Sequence, residues 1–333
     1  MEAVFETPDW DAIRESGRMA VDMHFHTDCS DSFTRVESAI ALAESRGTGV
    51  AITDHNLITS LVRIRDTDPS VPVIPGMEVS TSDGPHILVY FYDMNDLERF
   101  WYRCIRPRLQ ECPWLALRDC PTETLLDMLE RENCVVSAAH PMGYLWSNKG
   151  VEVCIRKGYL DEDVACRMDA YEVICSGMTR ESNMSALASA RRYGIGFTGG
   201  TDGHVLDEVG RVVTVSDASD TDRFLDDVRA HRVDVVGTEK TMDKKIHMAS
   251  ASLTKFMMHS PSALMVQTSQ AMRSADRGAR KAAETVKDRT SEIMDTVSDT
   301  ATDLESRLRG IRRRRGQWSS SSSFAFFLEC IPL

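Results

Sequence analysis

Short apolar runs that each end at a histidine or a carboxylate govern what this sequence can fold into. Residues 21–25 alternate apolar and polar side chains and deliver His24 and His26, two positions apart. On a strand such residues share a face, so the two imidazoles converge on one point. Asp31 follows in a turn-like stretch. The pattern then recurs. Residues 50–53 run into Asp54 and His55, residues 73–79 carry Glu78 near their end, and residues 86–91 begin with His86. Residues 135–139 lead to His140, and residues 195–198 lead into a glycine-rich stretch that holds Asp202 and His204.

Helical patterns separate these runs. Residues 34–47 read as a helix with Thr34 as cap, Glu37 as its capping-box partner and Gly47 as terminator. Residues 57–65, 122–132, 183–193 and 219–230 read as further helices, and 170–176, 212–215 and 233–236 as further strands. Strand and helix in alternation predict a parallel sheet with crossover helices. Seven or so units within about 240 residues fit a barrel better than a doubly wound sheet. In a parallel barrel the active site forms at the C-terminal strand edge, and all the singled-out residues except His86 lie there. Residues 94–121 read as a surface insertion and 142–168 as a second long connection.

The residue types define the chemistry. Six of the nine histidines fall in these motifs, leaving His231, His247 and His259 outside. Imidazole mixed with carboxylate suits Zn, Mn or Fe as divalent ions. None of the nine cysteines forms a CxxC pair, and they read as buried thiols in a reducing compartment. The set exceeds what one tetrahedral ion takes, which predicts two or three ions sharing a bridging carboxylate. Clustered ions hold a phosphoryl group and lower the pKa of a bound water, so phosphoester hydrolysis is expected. Neither a GxGxxG after the first strand nor a phosphate-binding GxxxxGK[ST] loop is present.

In order and spacing, the segments HFHTDCSD, ITDH, PGMEVS, HILVY, AHP and GGTDGH resemble the PHP (polymerase and histidinol phosphatase) family of metal-dependent phosphoesterases. The resemblance covers residues 20–238. It implies an α/β fold, a distorted (β/α)7 barrel with a trinuclear metal site on its C-terminal face. One ion would take His24, His26, Glu78 and Asp202; a second would share Glu78 with His86 and His140; a third would take Asp31, His55 and His204. Asp54 would orient a ligand imidazole from behind. A metal-bridging hydroxide would be the nucleophile, with Glu78, Asp202 and His204 at the reacting centre. Lys149, Arg180 and Arg211 are candidates to hold the substrate phosphate.

Charge bears on the substrate. The net charge is -12, divided as about -17 over residues 1–238 and about +5 over residues 239–333. An acidic body repels long polyanions, which favours a small nucleotide, sugar or alcohol phosphate and makes long nucleic acid a poor partner. Histidinol phosphate phosphatase and a 3'–5' exonuclease are the alternatives among enzymes; a non-catalytic scaffold that presents its tail is the alternative outside them. Beyond residue 238 the pattern changes to a helical and partly disordered tail, 239–333. It has a loose apolar 3-4 alternation over 283–311, a basic run at 312–315, serines at 319–323 and an apolar end at 324–328. Such a tail could touch an anionic membrane surface or a protein partner. The acidic N-terminus and the absence of any bilayer-length apolar run lead to a cytoplasmic expectation.

Overall fold

The computed structural model describes residues 1–144 and 148–259. Among them, ten strands form one sheet: β1 (Ala3–Val4), β2 (Met19–Phe25), β3 (Gly49–Ile52), β4 (Val73–Ser80), β5 (His86–Phe91), β6 (Cys134–Ala138), β7 (Ala170–Cys175), β8 (Gly196–Gly200), β9 (Val212–Ser216) and β10 (Asp234–Gly237). Their spatial order is β1-β10-β9-β2-β3-β4-β5-β6-β7-β8. The sheet curls into a half-barrel. Past the end of β8, Gly203 bridges in parallel to Phe25 of β2, and the His26 amide donates to the Gly203 carbonyl at 2.9 Å. Gly200 permits this approach, because a Cβ there would lie 2.4 Å from the Cβ of His24.

The α/β class and the distorted barrel agree with the sequence reading, but the sheet is mixed, not parallel throughout. β2, β3 and β4 run parallel, as do β6, β7 and β8. β5 is antiparallel to both β4 and β6, and β9 is antiparallel to β2 and β10. The chain between β4 and β5 is too short for a crossover helix, so it makes a hairpin. That reversal explains His86. The start of β5 lies opposite the end of β4, with His86 paired to Ser80. His86 therefore reaches the same edge as the other strand ends.

Local signals place the helices well at one end and less well at the other. Gly47 and Gly194 adopt the left-handed conformation, φ 68° in each, and terminate Val36–Arg46 and Arg180–Tyr193 as expected. Thr34 is not the cap of its helix. The helix starts one residue later from Arg35 without a side-chain cap, because Thr34 turns inward and its hydroxyl donates to the His204 carbonyl at 3.4 Å.

The core has two layers of the same sheet. Directly opposed residues of an antiparallel pair share a face. Ile87 and Val89 thus stand with Val79 and Met77, packing outward in the larger cluster. Leu88 and Tyr90 oppose Glu78 and Gly76, and they pack in a smaller cluster with Val21, Met23 and Phe224. Glu78 thus rises from the face that covers this second cluster, at full burial.

Two segments extend the sequence reading. The insertion 94–121 contains a helix, Met94–Phe100, continuing into the wider turn Trp101–Ile105. The chain then crosses the strand edge, where Asn56 donates to the carbonyls of Pro113 and Leu115 at 2.9 and 2.8 Å. After β10, the helix Met242–His259 packs on the same edge as part of the compact unit Met1–Gly278, so the first part of the segment 239–333 sits on the barrel. The second unit, Ala279–Leu333, lies outside the described residues. With it lie the apolar alternation, the basic run and the apolar end expected of the tail. No described helix is long and apolar enough to cross a membrane.

Candidate metal centre

The nine residues selected from sequence meet in one place. His24 and His26 extend from β2, Glu78 from β4, His86 from the start of β5 and His140 from just past β6. Asp202 and His204 follow β8, while Asp31 and His55 come from loops after β2 and β3. All nine are less than a tenth exposed. Glu78 is the hub. Its Oε1 lies 3.0 Å from His86 Nδ1 and 3.1 Å from His140 Nε2. Its Oε2 lies 3.0 Å from His55 Nδ1, 3.3 Å from His26 Nε2 and 3.5 Å from His24 Nε2. Asp202 Oδ1 is 3.3 Å from His26 Nε2, and Asp31 Oδ1 is 3.2 Å from His204 Nε2. The Nε2 atoms of His24 and His26 face one another at 3.1 Å.

Four compact donor sets emerge, each with its atoms within 4.8 Å: His24, His26 and Glu78; His26, Asp202 and His204; His26, Asp31 and His55; His55, Glu78 and His86. His26 belongs to three of them. The division implied by the resemblance joined Asp31, His55 and His204 around one ion. Here Asp31 and His55 form a set with His26, and His204 forms another with Asp202.

The donor set fits metal ions on a second count. Among the described residues, His26 Nδ1 and His140 Nδ1 are buried with no hydrogen-bond partner, and Glu78 Oε2, although beside three imidazoles, makes no contact of hydrogen-bond geometry. A buried polar atom without a partner costs about 1–3 kcal/mol, and clustered cases of this kind point to an ion. The electrostatics agree. Burial raises the carboxyls of Asp31, Glu78 and Asp202, but the surrounding imidazoles outweigh it and hold all three well below the usual carboxylate range. Burial likewise disfavours charged imidazole at His26, yet Asp202 and Glu78 push that group up to about 10. The same balance, with Glu172, Glu78 and Asp202 as the anions, carries His24 well above its ordinary value. Such fixed negative charge attracts cations. His86 differs: burial, aided by the Lys149 charge and opposed by Glu78, depresses it to about 3, so it stands as a neutral donor.

Two of these residues are conformationally strained. His140 and Asp202 have φ of 28° and 46°, a region that L side chains rarely adopt. Strain of this sort concentrates at functional sites.

Supporting contacts differ from expectation. Asp54 does not touch an imidazole among the described residues. Its carboxylate accepts from the Thr27 amide and hydroxyl, both at 2.7 Å, and from Ser60, so it fixes the loop after β2. The residue behind the imidazoles is Glu172. Its Oε1 lies 3.0 Å from His24 Nδ1, and its Oε2 accepts from the His140 amide at 2.7 Å. A carboxylate in the middle of the otherwise apolar run 170–175 was the available signal. Tyr144, also missed, donates its hydroxyl to Asp202 Oδ2. Glu208 accepts from the His204 amide at 2.9 Å and pairs with buried Lys240 at 3.1 Å.

The cluster forms the floor of a pocket of about 610 Å³. Its lining includes polar Asn148, Lys149 and Lys157 and apolar Trp114, Leu115, Met248, Leu253 and Phe256. Of the three cations singled out for phosphate, Lys149 alone lines it, and it has no ion pair among the described residues. Arg180 is held by Glu239 at 2.8 Å and stacks over Phe5, while Arg211 is held by Asp207 at 2.9 Å. The helix Met242–His259 is fastened over the pocket by polar contacts. Lys240, just before it, donates to the Asp202 carbonyl at 2.9 Å, Ser252 to Asp31 at 2.6 Å and Lys255 to the Asp28 carbonyl at 3.0 Å.

The family model described as PHP-associated matches residues 180–233, the stretch that contains Asp202 and His204. This supports the PHP domain family. No curated protein matches. Among solved structures, an endonuclease Q complex with a 27-mer duplex substrate bearing an abasic lesion aligns at TM-score 0.53 and 12% identity, covering 70% of this chain and 67% of that one. PsfC from Pseudomonas syringae PB-5123 aligns at TM-score 0.50 and 17% identity, over 72% of this chain and 98% of that one. A two-domain protein from Bacteroides vulgatus, containing a predicted PHP-like metal-dependent phosphoesterase, aligns at 0.46 and 14% identity over 77% and 74%. The first two likenesses show a shared fold.

Proposed function

We propose that this chain is a metal-dependent phosphoesterase that hydrolyses small phosphate esters at a site of two or three divalent ions. The observation that carries the reading is the buried nine-residue donor cluster, in which two imidazole nitrogens have no hydrogen-bond partner among the described residues, opening into a pocket of about 610 Å³. That volume suits a nucleotide or a sugar or alcohol phosphate. The helix Met242–His259 and the insertion narrow the mouth, and the acidic body adds repulsion toward long polyanions. These features weigh against a duplex substrate such as the one in the endonuclease Q complex.

The donor sets, built from His24, His26, Asp31, His55, Glu78, His86, Asp202 and His204, would hold Zn, Mn or Fe. Bound ions supply Lewis acidity and lower the pKa of a water molecule. The remaining work falls to the chain. Glu172 and Glu208 hold His24 and His204 in position from behind. The Tyr144 hydroxyl restrains the Asp202 carboxylate that faces His24 and His26. Lys149, which lines the pocket and has no ion pair among the described residues, would draw the phosphoryl group toward the cluster. No covalent enzyme intermediate is required.

The test is elemental analysis of purified protein together with turnover of monoesters, diesters and oligonucleotides with added Mn²⁺. Two to three ions per chain and turnover of small esters support the reading. Folded, metal-supplemented protein that binds no ion and hydrolyses nothing refutes it and favours the scaffold. Preferential cleavage of oligonucleotides would replace the substrate class by nucleic acid. A cytoplasmic location belongs to the same proposal.

A further inference from the structure

The lining of the pocket above the donor cluster has two chemically different parts. Ser82, Asn148 and Lys149 are polar. The insertion contributes Trp114 and Leu115, and the helix Met242–His259 contributes Met248, Leu253 and Phe256, which are apolar. The apolar wall is built, not incidental. The Trp114 ring packs edge-on against Phe256 at 5.6 Å between centroids, and its indole N–H donates to the Cys29 carbonyl at 3.2 Å. Trp114 is 7% exposed, whereas Leu253, which lines the same cavity, is 46% exposed. Ser252, one residue before Leu253, is tied to Asp31 of the donor cluster, which sets the wall at a fixed place relative to the site. An exposed leucine on a tethered helix at a pocket mouth is apolar surface that a bound molecule can cover.

Resting on the phosphoesterase reading, we propose that the helix Met242–His259 and Trp114 form an apolar subsite for the alcohol part of the ester. The preferred substrates are then small phosphate esters whose alcohol carries an aromatic or branched apolar face. The phosphate reaches the buried cluster beside Lys149, and the alcohol lies against Leu253 and Phe256. Each element of the molecule finds a wall of its own kind, and the helix that follows the barrel becomes part of the substrate site.

The test is calorimetric binding to the full-length, metal-loaded protein. The probes are two non-hydrolysable phosphonates of equal charge, naphthylmethylphosphonate and 2,3-dihydroxypropylphosphonate, with inorganic phosphate alongside. Covering one ring face at roughly 25 cal/mol per Å² leads to tenfold or greater preference for the naphthyl compound. Leu253→Ser and Phe256→Ala should each abolish most of that preference and leave inorganic phosphate within about twofold, since neither residue belongs to the donor cluster and neither change alters the charge. Equal binding of the two phosphonates by the unmodified protein, or an unaltered preference in both variants, overturns the subsite. The underlying activity fails separately. Protein that prefers the naphthyl compound but hydrolyses no phosphate ester keeps the subsite and loses the phosphoesterase reading.

Discussion

Replacing Glu172 by glutamine tests whether the centre is positioned from behind. In the folded chain one Glu172 oxygen faces His24 Nδ1 at 3.0 Å and the other accepts from the His140 amide at 2.7 Å. Glutamine matches the shape but offers one acceptor and one donor. One of the two N–H groups must then face an amide NH₂. The loss of a charge-assisted hydrogen bond is worth roughly 1.5–3 kcal/mol. At about 1.4 kcal/mol per decade this becomes a weakening of metal affinity of roughly 10- to 150-fold. Changes behind a metal ligand commonly cost about 10–100-fold, which agrees. His24 loses the partner that fixes its tautomer, so the effect should be largest for the set of His24, His26 and Glu78. The assay is competition between the protein and a chromophoric chelator for Zn²⁺ or Mn²⁺, with ions per chain counted by elemental analysis. Glu172→Ala, which removes both acceptors, should fall further. A folded Glu172→Gln protein whose metal affinity stays within about twofold of the parent would refute the reasoning.

Other expectations follow from the same geometry. His26 lies in three of the four donor sets, so His26→Ala should lower both metal content and turnover by more than the ~100-fold of an outer-shell change, as read by elemental analysis and ester hydrolysis. Lys149→Met should raise KM about tenfold with kcat changed less, because it removes a cation that meets the substrate before and during reaction. In metal-free protein the His26 imidazole, raised from 6.5 to about 10, stabilises the fold fully below pH 6.5, and this stabilisation is lost as pH rises toward 10. Urea midpoints of metal-free protein should therefore drop between pH 7 and pH 10. Because ions must displace that proton, apparent metal affinity should decline as pH falls, with proton release measurable on loading.

Much of the site was legible because its residues occupy positions that ordinary strands would not give to histidine. Most donors sit at or just past the end of an apolar run, and the fold gathers these strand ends, with the start of β5, at one edge. The spacing of His24 and His26 alone sets them on one face. What escaped the sequence escaped for identifiable reasons. The direction of β5 depends on the length of a connection, and a run such as 86–91 has the same pattern in either orientation. Glu172 sits inside a strand instead of at its end, so the rule that found the others passed over it. Arg180 and Arg211 were close in sequence to site loops, but ion pairs with Glu239 and Asp207 hold them elsewhere. Asp54 stands next to His55, yet adjacent residues on a chain point in different directions, and it braces Thr27 instead. The helix Met242–His259 follows the last motif and shares its alternation with an ordinary surface helix, so nothing in its residues announces the pocket.

The hairpin between β4 and β5 has a consequence for how the centre tolerates change. Glu78 and His86 meet across it, with Oε1 and Nδ1 3.0 Å apart although the residues are only eight positions apart in the chain. Side chains alternate faces along a strand, so register carries the same weight as identity. Removing one residue from the turn 81–85 would slide β5 by one place against β4 and turn the His86 imidazole away from Glu78, although both residues would remain. Length is thus a coordinate of this centre. A shortened turn should bind metal as poorly as a chain with His86 removed, and a chain carrying every donor in its sequence could still lack the site.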